Sequence, residues 1–240
     1  MIEVTNVSKI FNELKAVDDI SFNVFDGEIV GIIGPNGAGK STTLKMISGI
    51  IKPTKGNVVV NGFDIVKSPL DAKKTIGYIS DNPDMMLRLK GIELLNFLAD
   101  IYNVSQEERC KKIEDLTKKF EIYDNLNSPI LSYSHGMRQK LLIVGSILHN
   151  PKTWILDEPL TGLDPKSSYI LKNMMIEHKN KNNTVIISTH ILEVAEKLCD
   201  RIIIIDKGKK LYEGTINDLA NNYDNNSLEE IYLKISNENS

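Results

Sequence analysis

The segment Gly34-Pro35-Asn36-Gly37-Ala38-Gly39-Lys40-Ser41 fits the pattern G-x-x-x-x-G-K-[ST] in full, and together with its flanks it constrains the fold more than any other stretch. Ahead of it, Glu28-Ile29-Val30-Gly31-Ile32-Ile33 is a short apolar run that reads as a buried strand; behind it a helix opens at about Lys40. A strand that enters a glycine loop and then a helix returns to a parallel neighbour, so an α/β sheet is expected. Further buried-strand signals at Thr153 to Leu156, Thr184 to Ser188 and Arg201 to Ile205 each follow helical periodicity, which makes the sheet mostly parallel. Ile2 to Val7 and Ile20 to Val24 alternate as short strands and predict a small antiparallel part at the N-terminus.

Between roughly Asn82 and His149 the strand signal stops. The apolar spacing in Leu94-Leu95-Phe97-Leu98-Ile101 and Ile113-Leu116-Phe120 is helical, so an inserted helical subdomain over residues 82–149 is expected. Residues 1–81 and 150–222 would then form the α/β core. Asn221 to Asn226 reads as a polar linker before a last amphipathic helix around Leu228 to Ile235, which assigns 223–240 to a C-terminal linker and helix. No internal repeat is visible, and 240 residues at 41% hydrophobic content suit one domain with an insertion.

The glycine loop has a definite chemistry. Its backbone N–H groups turn inward around a β-phosphate and the following helix N-terminus adds partial positive charge. Lys40 reaches the β/γ oxygens, the Ser41 hydroxyl ligates Mg²⁺, and Thr42 adds an α-phosphate contact. The apolar run Thr153-Trp154-Ile155-Leu156 ends in Asp157 and Glu158. Alternation along a strand gives the two carboxylates different directions. Asp157 is placed to hold Mg²⁺, directly or through water, and Glu158 to orient and deprotonate the water that attacks a γ-phosphorus.

The order and spacing of these motifs resemble the ATP-binding subunit of an ATP-binding-cassette (ABC) transporter, over nearly the whole chain and closest in pattern to exporter-type ATPases. The fold implied is a P-loop NTPase core, and the cofactors implied are ATP and Mg²⁺. Tyr133-Ser134-His135-Gly136-Met137 stands in place of the family's Leu-Ser-Gly-Gly-Gln signature, Thr161-Gly162-Leu163-Asp164 resembles the loop that communicates between two ATP sites, and His190 resembles the switch histidine. By that resemblance Lys40, Glu158 and His190 form the catalytic set. Gly34, Asn36, Gly37, Gly39, Lys40, Ser41 and Thr42 cradle the nucleotide, Phe11 stacks on its base unless it is a core side chain at a strand end, and Ser41, Asp157 and Asp81 hold the metal. Ser134 and Gly136 would touch the ATP of a partner cassette in a head-to-tail dimer, identical or paired with a different subunit.

Several residues depart from the family pattern. Asp81, closing Ile76-Gly77-Tyr78-Ile79-Ser80-Asp81, replaces a glutamine; a carboxylate is a stronger, charged ligand for a hard cation, although Asp81-Asn82-Pro83 is also a turn signal. Tyr133 replaces leucine, His135 a glycine and Met137 the glutamine, with His135 read as solvated. His149 and His178 carry no signal beyond a helix end or exposed face.

A net charge of −3 gives no basic footprint for nucleic acid. No run approaches the ~20 apolar residues of a membrane span. A transporter role therefore implies a separate transmembrane permease, met near the loop from Asp81 to about Lys90, with this chain peripheral to the cytoplasmic face of the membrane. A soluble ABC ATPase of translation or chromosomes is the alternative. Cys110 and Cys199, far apart, fit a reduced setting without zinc.

Overall fold

The computed structural model describes residues 1–222, 230–232 and 234. Its centre is a six-stranded sheet in the order β10-β9-β3-β8-β7-β6. The strands are β3 (Ile29–Ile33), β6 (Ile76–Ile79), β7 (Thr153–Asp157), β8 (Thr184–Thr189), β9 (Arg201–Asp206) and β10 (Lys209–Gly214). All neighbours pair in parallel except β10, which lies antiparallel on β9. The apolar runs of β3, β7 and β8 are buried at every position, as expected where both faces of a parallel sheet are covered.

Alternation within those strands separates two cores. Ile155 and Ile186 point to one face with Val30, Ile32 and Ile203, where they meet helix α1 (Lys40–Ile47) and a second, antiparallel sheet. Trp154, Leu156, Val185 and Ile187 point to the other, against α3 (Gly91–Ile101), α4 (Gln106–Lys119), α5 (His135–Ile147) and α6 (Pro165–Asn180). Burying a side chain of this size contributes ~1.5–3 kcal/mol, so the sheet is anchored from both sides. Between β6 and β7 the described residues hold helices and turns, with one isolated bridge, Lys90 to Pro129.

The antiparallel sheet runs β2-β1-β4-β5, from β1 (Ile2–Phe11), β2 (Leu14–Val24), β4 (Lys55–Val60) and β5 (Phe63–Asp64). β1 and β2 extend well beyond the alternating segments read from the sequence. Their pairing shifts register between Val4 and Val7 and again up to Ile10, and each shift breaks the two-residue alternation that marks a strand. β6 is a short edge strand, whereas β10, with the polar sequence Lys-Lys-Leu-Tyr-Glu-Gly, is only half-buried, so neither carries a strong apolar signal.

Two further expectations change. Asn221 and Asn222 close helix α8 (Ile216–Asn222) rather than opening a linker. Of the last expected helix, Glu230 to Tyr232 and Lys234 are helical and Ile231 is buried against Leu219; the rest of it, and the linker from 223 on, lie outside the described residues. His178 is not on an exposed face: it continues the buried α6 stripe Leu171, Met174, Met175 and meets Trp154 edge-on.

Candidate functional site

The glycine loop lies between the C-terminal end of β3 and the N-terminus of α1. It is drawn tightly into the fold, since a Cβ on Gly34 would sit 2.1 Å from the Ile205 carbonyl oxygen. Only glycine permits that approach. A cleft of 420 Å³ opens over the loop, lined by Asn36, Gly37, Gly39, Lys40, Ser41 and Thr42 together with Phe11, Asp81 and Glu158. Phe11 is 44% exposed, so its ring faces the cleft region and not the core, with Lys9 Nζ 5.0 Å from its centroid.

Lys40 is buried, and its ammonium donates to the carbonyls of Gly34 at 2.8 Å and Pro35 at 3.1 Å. Ser41 Oγ donates to Asp157 Oδ1 at 3.0 Å. Asp157 ends β7 fully buried, and its other oxygen, Oδ2, has no hydrogen-bond partner. Burial pushes the Asp157 carboxyl above the ordinary value, opposed by the hydrogen bonds from Ser188 and Ser41 and reinforced by the nearby charge of Asp81. A buried, half-unpaired carboxylate beside a serine hydroxyl is a donor set that suits a hard divalent cation. Among the described residues no three His, Cys, Asp or Glu side chains converge as a metal cluster, so a magnesium here would take Asp157, Ser41 and nucleotide oxygens, with Asp81 on the same cleft.

Glu158 follows with φ of 48°, a left-handed conformation that is uncommon for a non-glycine residue and costs of order 1–3 kcal/mol. Ser188 holds it there. The Ser188 hydroxyl donates to Asp157 Oδ1 at 2.6 Å and accepts from the Glu158 N–H at 2.9 Å. One hydroxyl on β8 thereby fixes both acids, and sequence reasoning missed it; a lone hydroxyl inside the apolar run Thr-Val-Ile-Ile-Ser-Thr was the available signal. Glu158 Oε2 lies 3.0 Å from His190 Nδ1, and Oε1 lies 3.4 Å from Lys40 Nζ without hydrogen-bonding geometry.

Ser134 and Gly136 are not in this cleft. Ser134 caps α5 and its exposed hydroxyl accepts from the Met137 N–H at 3.2 Å. A Cβ on Gly136 would approach the Gly162 carbonyl oxygen to 2.7 Å, and one on Gly162 would meet the exposed His135 ring. The Thr161 to Asp164 loop therefore packs directly on the α5 N-terminus, tied further by Lys140 to Asp164 at 2.7 Å. Tyr133 is a core residue of the helical layer, its hydroxyl donating to the Asn125 carbonyl at 2.6 Å. Arg138 pairs with Asp84 and donates to the carbonyls of Ile130 and Leu131, joining α5 to the loop that follows Asp81.

A second cavity, a groove of 450 Å³, separates α1 and β6 from α3 and α5. Met85, Met86, Ile50, Leu94 and Leu98 line it, along with Tyr102 and His149, whose rings stack at 3.6 Å. No described helix is long and apolar enough to cross a membrane.

The sequence profile described as ABC transporter matches residues 17–161. The ABC transporter ATP-binding protein NatA of Bacillus subtilis (strain 168) is 36% identical over 238 residues, covering 97% of each chain. The linearmycin resistance ATP-binding protein LnrL of the same organism is 34% identical over 92% of this chain and 71% of its own. A solved ATP-binding subunit of an ABC transporter superposes with a TM-score of 0.93 at 34% identity, covering 98% of this chain and 99% of that one. A dimeric ATP-binding cassette in a post-hydrolysis state, bound to ADP and Pi, gives 0.80 at 27% identity over 90% and 99%. Profile, relatives and superposed cassettes agree with one another, and the chain belongs to the ABC transporter family, among its ATP-binding ATPase subunits.

Proposed function

We propose that this chain powers export through a separate transmembrane permease at the cytoplasmic face of the membrane, by closing on ATP in a head-to-tail dimer with a second cassette. The observation that carries the reading is the separation of its two phosphate-binding parts. Lys40, Ser41, Asp157, Glu158 and His190 gather in or beside one cleft, whereas the Ser134–Gly136 turn at the start of a 13-residue helix lies outside it with an exposed hydroxyl. A helix N-terminus attracts anions, and head-to-tail pairing would bring this one to the partner's γ-phosphate.

In that reading Lys40 leaves the Gly34 and Pro35 carbonyls for the β/γ oxygens, Phe11 stacks on the base, and Gly34, Asn36, Gly37, Gly39 and Thr42 shape the phosphate cradle. A magnesium ion held by Ser41, Asp157 and Asp81 would neutralise the phosphate charge. Glu158 takes a proton from water as the water oxygen bonds the γ-phosphorus and the bond to the β-γ bridging oxygen breaks. Glu158 Oε1 is the free acceptor, because His190 occupies Oε2. His190 holds that carboxylate in line. Loss of the γ-phosphate bridge lets the cassettes part, which turns hydrolysis into motion.

The permease contact belongs to the 81–90 loop and the apolar groove it borders, where Met85 and Met86 are about half exposed. The Tyr133 to Gln139 and Asp81 to Pro83 patterns favour export. Affinity purification of the tagged chain from membranes tests the assignment: a multi-span protein encoded by a neighbouring gene is the expected companion, and ribosomes or DNA in its place would favour the soluble alternative. Uptake of candidate solutes by inverted vesicles carrying the complex tests direction.

A further inference from the structure

Lys45 and Asp81 stand on the wall between the two cavities. Asp81 lines the nucleotide cleft with Lys40, Ser41 and Glu158. Lys45, in the last turn of α1, lines the apolar groove with Met85, Met86 and His149. Their charges meet through that wall, with Lys45 Nζ 3.9 Å from Asp81 Oδ1 and the side chains 34% and 45% exposed. A pair so long and so wet holds weakly and exchanges readily. Asp81 also accepts a hydrogen bond from Ser80 Oγ at 3.0 Å, which leaves it further acceptor capacity. On the cleft side, the unpartnered Oδ2 of Asp157 marks where a cation would sit, and both Asp81 and Lys45 act electrostatically on Asp157. The glutamine that Asp81 replaces carries no charge and could not form this ion pair.

We infer that Lys45 and magnesium-nucleotide compete for the Asp81 carboxylate, so that nucleotide binding frees the Lys45 ammonium into the groove, where it pairs with a carboxylate on the permease segment that docks there. Without nucleotide, Asp81 neutralises Lys45. With it, the same carboxylate turns toward the cation beside Asp157 and Ser41, and the groove gains an unpaired positive charge. Among the described residues no carboxylate lines the groove, and its cations are Lys45 and Lys73. Charge complementarity therefore selects a segment with an acidic side chain among apolar ones. This step rests on the transporter reading given above, and it makes the attraction for the permease depend on the nucleotide state.

Carbodiimide, which joins an amine to a carboxylate in direct contact, reads the pair without any permease. Peptide mass spectrometry of the treated wild-type chain is expected to show a Lys45–Asp81 amide when nucleotide is absent. Its yield should fall about two- to fivefold, the range an exposed pair's stability allows, when Mg²⁺ and a non-hydrolysable ATP analogue are added, but not when the analogue is added with a chelator. A yield that does not change with Mg²⁺ and analogue, while equilibrium dialysis shows the analogue bound, overturns the competition; absence of the amide in the free chain does the same. In the copurified complex, Lys45 is expected to join a permease carboxylate in the loaded state. A loaded complex that links the permease through other groove residues and never through Lys45 overturns the acidic-partner step. Failure to bind the analogue would instead sink the nucleotide reading, and failure to copurify a permease the transport reading.

Discussion

His190 Nδ1 lies 3.0 Å from Glu158 Oε2, and this contact occupies one oxygen of the carboxylate while the other faces Lys40 at 3.4 Å. The arrangement orients Glu158 from one side and leaves Oε1 without a hydrogen-bond partner, the oxygen that would take the proton in the proposed hydrolysis. Glu158→Gln keeps the shape and removes the proposed base, so phosphate release should fall ~10²–10⁴-fold, the usual worth of a general base, with ATP binding retained. Single-turnover phosphate release beside equilibrium nucleotide binding checks both halves; turnover near wild type would remove Glu158 from that role.

Ser188 joins the two acids. Its loss would leave the Glu158 N–H without an acceptor and release Asp157 Oδ1 from a 2.6 Å hydrogen bond. Partners that orient a metal ligand typically account for 10–100-fold in metal affinity, so Ser188→Ala should weaken Mn²⁺ binding in the presence of ATP by that order. Electron paramagnetic resonance of free Mn²⁺ measures it. Ser188→Thr, which keeps the hydroxyl, should recover most of the affinity.

The loop and the strand before it were legible because strand, glycine turn and lysine are local, and β3, β7 and β8 are continuous apolar runs. The pairing of Ser41 with Asp157, 116 positions apart, was also reachable, since each motif already implied the same metal. Ser188 was not, because its role exists only in the register that sets Asp157 opposite it on β8. Lys45 was equally silent. It reads as an ordinary basic residue in the last turn of a helix, and only the fold shows that it shares a wall with Asp81. His178 was misread because the buried stripe of α6 contains a titratable side chain where an apolar one is the norm.

Ser134 sits outside the cleft with its hydroxyl exposed, so a bulky cation there tests the dimer without touching the chain's own nucleotide site. Ser134→Arg should leave nucleotide binding by the monomer within about twofold, as expected for independent sites. Dimerisation of a Glu158→Gln background in ATP should disappear. Light scattering gives the mass; a dimer of unchanged stability would separate the α5 turn from the shared site.

Asp157 is a fully buried carboxylate with one oxygen unpaired in the free chain. Burial raises its carboxyl above 3.8, so the native state holds the proton more tightly than the unfolded chain does. Its contribution is therefore best at low pH and is lost as pH rises through the raised value. Asp157→Asn should remove that penalty, so the nucleotide-free variant should gain stability relative to wild type as pH rises toward neutral. The gain should shrink toward pH 4. Differential scanning calorimetry with a chelator at both pH values checks the sign, and the variant should fail to bind Mn²⁺.

His178 gives the opposite pH signature. Burial, followed by the charges of Lys181 and Lys152, pushes its imidazole down from 6.5 to about 4, against a hydrogen bond to the Pro151 backbone. The ring is thus neutral in the fold. Stability from His178 is complete above pH 6.5 and drains away as pH falls toward 4, where the unfolded chain takes up a proton that the native state refuses. At pH 5 the loss is about 2 kcal/mol, from roughly 1.4 kcal/mol per unit. His178→Phe keeps a ring against Trp154 but forfeits the Pro151 hydrogen bond, at a cost of ~1 kcal/mol. The variant should accordingly be less stable than wild type at pH 7.5 and more stable at pH 5. Urea midpoints at the two values decide the matter, because a ring that titrated normally in the fold would leave the variant weaker at both.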